Sequence, residues 1–469
     1  MRSIILILNI IAGLSVTVTT LKAGNLASGA SSLKPNIVFI LADDCTNWDL
    51  ACYGSVDSKT PNIDKLASEG MLFTRCYEAA PMCSPTRHNI FTGLYPVKTG
   101  AYPNHTNANP GTESIVQYLK PLGYRVALSG KRHIGPETVF PFEYLGTKKN
   151  PNFDLVESFL KEVKESKEPF ALMLTSNEPH TPWDKGNSKQ FDPEKITLPP
   201  HFVDTKETRE AFCRYLAEIN YLDGQVGQAL QLLEKYGYDE NTLVVFASEQ
   251  GNSFPFAKWT CYEAGVKSAL IARMPGAIRP GTKSDAIVEY ADLLPTFIDM
   301  AGGEIPEKLD GKSLKPILQG QTEKVKNYSY SLQTTRGIFD GSEYYPIRAI
   351  VNDRYRYIWN ISPEVEFKNV VNNRGEGGTA WYKSWEEKST TDEYATVLIK
   401  KYRIRPEEEL YDIIEDKWCQ KNLAEIPEFE SIKKTLRKEL NRWMEECGDE
   451  GLKTEMEAFK HMPGKNDKK

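Results

Sequence analysis

The stretch "APMCSPTRHNIF", residues 79–90, sets Cys83 four residues ahead of Arg87 with Pro85 between them. A cysteine there can be a packed small hydrophobe, a thiolate nucleophile or the precursor of a modified side chain. Four more polar clusters hold residue types suited to chemistry. Asp43 and Asp44 are adjacent in "LADDC", and two carboxylates with further oxygens suit a hard divalent cation, calcium first; a turn or helix-cap pair is the alternative. Glu249 and Gln250, just before Gly251, offer two more oxygens or belong to a solvated loop. Lys131, Arg132 and His133 in "GKRHIG", with Lys258 in "FAKWTCYEAG", can place positive charge where a tetrahedral oxyanion develops, while any one of these lysines alone reads as a solvated surface charge. His180 in "EPHTPW" sits between two prolines that restrict its backbone; it suits a general acid or a satisfied structural histidine.

These clusters need elements to position them. Apolar runs at 36–42, 124–130, 169–176, 242–248 and 268–274 read as strands buried on both faces. Helical patterns lie between them: "TPNIDKLASEG" with Thr60 as N-cap and Pro61 at the first helical position, "TESIVQYLKPLG", and the long stretch from Lys206 to Glu234. The alternation predicts a doubly wound α/β sheet. "DDC", "KRHIG", "NEPH" and "EQGN" follow four successive strands, and ligands of open α/β sheets bind outside the carboxyl ends of the strands. The four clusters are therefore expected to meet. After about residue 345 the texture changes to the alternation of "YYPIRAIVNDRYRYIWNI", then a charged stretch and a helix near 427–447, which predicts a smaller α+β subdomain over 346–460 beside a catalytic domain over 32–345. The tail "HMPGKNDKK" reads as disordered.

The chain has 469 residues, 40% hydrophobic and 11% aromatic, the composition of a well-ordered globular protein. Its net charge of -6 offers no basic field for nucleic acid, so an anionic ligand must be held by a few placed cations. Residues 1–23 carry Arg2, a short apolar run and a small-residue end, the pattern of a secretory signal peptide, and imply a periplasmic or secreted protein; the run is short for a full membrane span. Eight cysteines are scattered without the spacing of a disulfide scaffold, none in a CxxC pair, and a Cys419–Cys447 bridge is plausible after export.

Cys83, Pro85 and Arg87 form C-x-P-x-R, which resembles the signature of the type I, formylglycine-dependent sulfatases. The resemblance continues through "LADD", "TPNIDKLASEGMLFTRCY", "TGLYP", "GKRHIG", "EPHTPW", "KWTCYEAGV", "ADLLPTFIDMAG" and "ELYDIIEDKWCQKNLA" in order. "GKRHIGPETVFPFEY" and "WYKSW" are especially similar to the sulfamidases, or heparan N-sulfatases, whereas "SEQGNSFPFAKWTCYEAG" is nearer the O-sulfatases around Lys258. The resemblance implies an alkaline-phosphatase-like α/β/α sandwich with a smaller C-terminal α+β subdomain, and a formylglycine made from Cys83 by a formylglycine-generating or anaerobic sulfatase-maturing enzyme. One hydroxyl of its hydrate would attack sulfur and the other would then expel sulfate. The resemblance further implies Ca2+ on Asp43, Asp44, residue 83, Glu249 and Gln250, with Arg87 orienting the formylglycine. Lys131 and Lys258 would hold sulfate oxygens, His133 would assist sulfate expulsion, and His180 would protonate the leaving group. Family members commonly carry Asp followed by Asn or His where this chain has Glu249 and Gln250, and more usually Ser where it has Thr86. The implied substrate is an O-sulfated or N-sulfated glycan. The alternatives are a phosphate or phosphonate ester hydrolase of the same superfamily and a catalytically silent glycan-binding protein.

Overall fold

A computed structural model describes residues 34–374 and 378–463. The expected leader at 1–23 lies outside them.

Eight strands form the main sheet: β1 (Asn36–Asp43), β2 (Met71–Tyr77), β3 (Arg125–Gly130), β4 (Glu143–Tyr144), β5 (Phe170–Thr175), β6 (Thr242–Glu249), β7 (Lys267–Arg273) and β8 (Thr282–Glu289). Their order is β4-β3-β5-β1-β6-β7-β2-β8. All neighbours pair in parallel except β7, which runs antiparallel to β6 and to β2. The continuous apolar character of β1 is explained by its two faces. Val38, Ile40 and Ala42 enter one core with Val156, Phe159 and Leu222 from helices Phe153–Ser166 and Lys206–Tyr236. Ile37, Phe39 and Leu41 enter the other with Ile90, Phe91 and Phe297 from helices Cys83–Thr92 and Leu293–Met300. A strand sandwiched in this way has no polar face to alternate with.

β2, β8 and the two-residue β4 extend the sheet beyond the five expected runs. "MLFTRCY" mixes polar and apolar residues, and β8 is half exposed over its first four positions, so neither shows the unbroken apolar signal. Helix Pro61–Ser68 starts as expected with Pro61 at its first position. Thr60 does not cap it: its hydroxyl donates to Asp64 Oδ1 at 3.0 Å and accepts from the Ala51 amide at 3.2 Å.

A second sheet, β12-β11-β10-β9, is antiparallel and combines β9 (Ser329–Gln333), β10 (Ile347–Val351), β11 (Tyr355–Asn360) and β12 (Glu408–Asp412). Its first strand thus lies upstream of the change of texture read at 345. Ile347, Ala349 and Val351 join the first core, while Ile350 faces a third one built with Leu440 and Trp443 of helix Glu430–Cys447.

The eight cysteines are all free, which corrects the Cys419–Cys447 pairing. Cys419 lies in the field of Glu263 and Arg356, and Cys447 in that of Asp310 and Lys98. The start of the expected disordered tail is also ordered: Thr106 donates its hydroxyl to the His461 carbonyl, and the His461 ring meets Tyr102 edge-on at 5.0 Å. Residues from 464 onward lie outside those described. Among the described residues no helix is long and apolar enough to cross a membrane.

Candidate active site

The pairing of β1 with β6 sets Asp43 directly opposite Glu249, so two carboxylates stand side by side at the carboxyl edge of the sheet. Cys83 opens helix Cys83–Thr92, and Arg87, one turn later, shares its helix face. The carboxylate oxygens of Asp43 and Glu249 and the Cys83 sulfur all lie within 4.8 Å of one another, fully buried.

Arg87 anchors this trio. Its Nε and Nη2 donate to Glu249 Oε1 at 3.0 and 2.8 Å, Nη1 donates to the Lys131 carbonyl at 2.7 Å, and Nη2 also reaches the Ser176 carbonyl at 3.4 Å. One side chain therefore ties the helix to the ends of β6, β3 and β5. Gly130 makes the β3 end possible: its φ is +113°, and a Cβ there would stand 1.9 Å from the Thr175 carbonyl oxygen. Lys131 then donates its amide to that carbonyl at 2.8 Å and its ammonium to Asp43.

Asp44 lies outside the trio. Lys258 Nζ and Ser253 Oγ both donate to its Oδ2 at 2.8 Å, and Gln250 Nε2 donates to its Oδ1 at 2.6 Å. The Trp259 amide on the Pro81 carbonyl, at 3.1 Å, clamps the Lys258 turn to the segment entering Cys83. Asp44, His133, Gln250 and Trp259 all have positive φ, at 60°, 51°, 28° and 74°. Such strain gathers where a packed framework fixes functional side chains.

His180 donates from Nδ1 to the Thr181 carbonyl at 2.6 Å, leaving Nε2 3.7 Å from Asp44 Oδ2. Burial and the Lys258 charge hold its pKa below the ordinary histidine value, against Asp44. His133 pairs through Nε2 with His105 Nδ1 at 2.8 Å, and its own Nδ1 is buried without a partner. Burial, with Lys131 beside it, holds His133 well below the ordinary value. His105 was not legible in the sequence; an isolated histidine in a polar loop carries no signal. Glu78 was missed likewise. It accepts from the hydroxyls of Thr86 and Ser268, both at 2.9 Å, and fixes the first turn of the Cys83 helix from beneath.

The electrostatics are unbalanced at the acidic pair. Burial raises both carboxyls, but Lys131, His180 and Arg87 hold Asp43 well below the carboxylate range, while Asp43 beside it helps push Glu249 well above. Two carboxylates this close do not both ionise without a cation between them. Glu249 Oε2 and Gln250 Oε1 are buried with no hydrogen-bond partner. Asp43, Asp44, Glu249 and Gln250 thus form an oxygen-rich, net-anionic donor set that fits a hard divalent cation. Burial pushes the Cys83 thiol up to about 11 despite Lys131 and Lys258.

Outward from this floor opens a cleft of 1260 Å³ lined by Lys131, His133, His180 and Lys258 and walled by Trp183 and Trp381, whose rings stack at 5.2 Å. The structure therefore brings Asp43, Asp44, Cys83, Arg87, Lys131, His180, Glu249, Gln250 and Lys258 to one place, with His133 on the cleft wall.

Residues 35–303 match the model of the sulfatase family, and residues 251–370 match that of the N-sulphoglucosamine sulphohydrolase C-terminal region. An ulvan-active sulfatase of Formosa agariphila is 36% identical over 90% of this chain and 82% of its own length. The chain belongs to the sulfatase family. The human N-sulphoglucosamine sulphohydrolase is 26% identical over 88% of this chain and 90% of that one. Among solved structures, a protein in complex with its substrate D-glucosamine-2-N,6-O-disulfate superposes with a TM-score of 0.67 at 20% identity, covering 89% of this chain and 99% of the other. At that identity the likeness speaks for the fold, which is the alkaline-phosphatase-like α/β architecture of the sulfatases.

Proposed function

We propose that this sulfatase removes sulfate, as an O-sulfate ester or an N-sulfate, from a sulfated glycan, with residue 83 acting in its formylglycine form. The observation that carries the reading is the position of Cys83: the first residue of a buried helix, held by Arg87 against the acidic pair, at the floor of a cleft with two lysines and two histidines. The proteins it resembles are named for ulvan and for sulfated glucosamine, both saccharides. The cleft volume of 1260 Å³ exceeds the 300–1,000 Å³ or so of ordinary small-ligand pockets and has indole walls for sugar rings.

In this reading Asp43, Asp44, Glu249 and Gln250 hold Ca2+ beside residue 83. The hydrated aldehyde supplies the attacking hydroxyl and a route back to the aldehyde once sulfate leaves. Lys131 and Lys258 come from two strand ends to the same floor and present ammonium groups to the sulfate oxygens. His180, its Nδ1–H committed to Thr181, presents Nε2 as the atom that hands a proton to the departing sugar oxygen or nitrogen. His133 assists sulfate release. The protein is exported to the periplasm or beyond, after a maturing enzyme has modified Cys83.

Peptide mass spectrometry across residues 79–90 of protein from its native host is expected to show formylglycine at 83. Sulfate is expected to be released from one member or more of a panel of O- and N-sulfated saccharides, with matched phosphate esters inert and Cys83→Ala inactive. An active preparation with unmodified cysteine throughout, or phosphate-ester turnover without sulfate release, overturns the proposal.

A further inference from the structure

The cleft has a charge pattern that one sulfate does not require. The whole chain is net acidic at -6, yet no Asp or Glu is among the described residues lining the cleft. Besides Lys131 and Lys258 on the floor, Arg132, Lys148 and Lys149 line it, and none of these three forms an ion pair among the described residues. They belong to one arm. Arg132 follows Lys131 off β3, its guanidinium lies 3.7 Å from the Tyr144 ring centroid, and its Nη2 donates to the Gly146 carbonyl at 3.3 Å. Gly146 leads through Thr147 into Lys148 and Lys149, both exposed. Stacking and that carbonyl fix the arginine while leaving its charge unneutralised, and the lysines lie on the loop it braces.

Among the described residues other exposed cations do find carboxylates, as Lys235 and Lys161 do with Glu157. A run of unpaired cations in a cleft without carboxylates raises self-repulsion, which an anionic ligand relieves. We propose that the arm of Arg132, Lys148 and Lys149 binds a second anionic group of the same saccharide, a sulfate or a carboxylate, distinct from the sulfate being cleaved. The inference rests on the glycan reading above. It makes the preferred substrate a saccharide with at least two negative charges.

Calorimetry on the full chain in a Cys83→Ala background tests binding without turnover. The probes are an N-sulfated uronate–glucosamine disaccharide, the same disaccharide with its uronate methyl-esterified, and a counterpart carrying an additional O-sulfate. The most highly charged probe is expected to bind about tenfold tighter than the methyl ester at low salt, and the ratio to shrink as salt is added. Lys148→Ala/Lys149→Ala is expected to bring that ratio below about threefold without changing affinity for the methyl ester, and Lys148→Arg/Lys149→Arg to restore it. A loss that appears on esterification identifies a carboxylate; one confined to the O-sulfated probe identifies a sulfate. Equal affinity for all three probes, or an equal loss for all three in the alanine variant, overturns the inference. If binding follows charge but protein with residue 83 intact releases sulfate from no glycan, the arm stands and the proposed function falls.

Discussion

Arg87 donates from both Nε and Nη2 to the same oxygen of Glu249, Oε1, at 3.0 and 2.8 Å, and leaves Oε2 buried without a partner. The pairing engages two guanidinium nitrogens but only one of the two glutamate oxygens. Removing the guanidinium leaves a buried acid facing another acid. Arg87→Ala is therefore expected to lose about 3–5 kcal/mol of stability by urea unfolding, with Arg87→Ala/Glu249→Gln recovering part of it. A loss below about 1 kcal/mol would show that the pair does not hold the helix.

The unpartnered oxygens of Glu249 and Gln250 make a prediction about metal. Ca2+ added after EGTA is expected to raise the melting temperature by several degrees, since a ligand at a hundredfold excess over its Kd adds about 2.7 kcal/mol. Asp43→Asn is expected to blunt that response. A melting temperature that ignores both EGTA and Ca2+ counts against these residues as a cation site.

Asp49 gives a pH dependence away from the acidic pair. Burial raises its carboxyl from 3.8 to about 6, although it accepts from the Tyr215 hydroxyl at 2.9 Å and from Asn252 Nδ2 at 3.0 Å. The folded chain thus keeps a proton that the unfolded chain releases between about pH 4 and 6, so this group's contribution to stability falls as pH rises through that window and is flat above it. The total is on the order of 2–3 kcal/mol. Asp49→Asn, which cannot ionise, is expected to gain on the wild type by that amount between pH 4 and 7 in urea unfolding. Parallel stability curves for the two proteins would refute the assignment.

Gly130→Ala tests how the lysine is placed. The added methyl would meet the Thr175 carbonyl oxygen at 1.9 Å in a left-handed backbone position, so β3 and β5 must separate and Lys131 must shift. Misplacing a positioned group by about 1 Å costs catalysis about a hundredfold. Sulfate release is expected to fall by at least about a hundredfold in kcat while the melting temperature drops only moderately. Retained kcat would show that Lys131 need not stand where it does.

The framework of the site was legible because β1, β3, β5 and β6 are buried on both faces and read as uninterrupted apolar runs, and because polar residues follow each at the point where a parallel sheet opens. β2 and β8 escaped because their exposed or mixed faces dilute that signal. Thr60 was misread because a threonine ahead of Pro61 is the usual sign of a cap, whereas contacts from Ala51 and Asp64 claim its hydroxyl. The bond between Arg87 and Glu249 joins residues 162 apart, and His105 meets His133 only after the loop has folded. Neither contact has a local pattern, because each is created by the convergence of elements.

The burial of the Cys83 helix also limits which proteins could reach residue 83 after folding. Cys83 is 3% exposed, every residue of Cys83–Thr92 is buried, and the Lys258 turn is fastened across its entrance through Trp259 and Pro81. A second enzyme that had to grip this stretch would find no extended strand to hold once folding was complete. Under the proposed function, an enzyme that modifies residue 83 would have to reach it on the nascent chain, before this helix is buried.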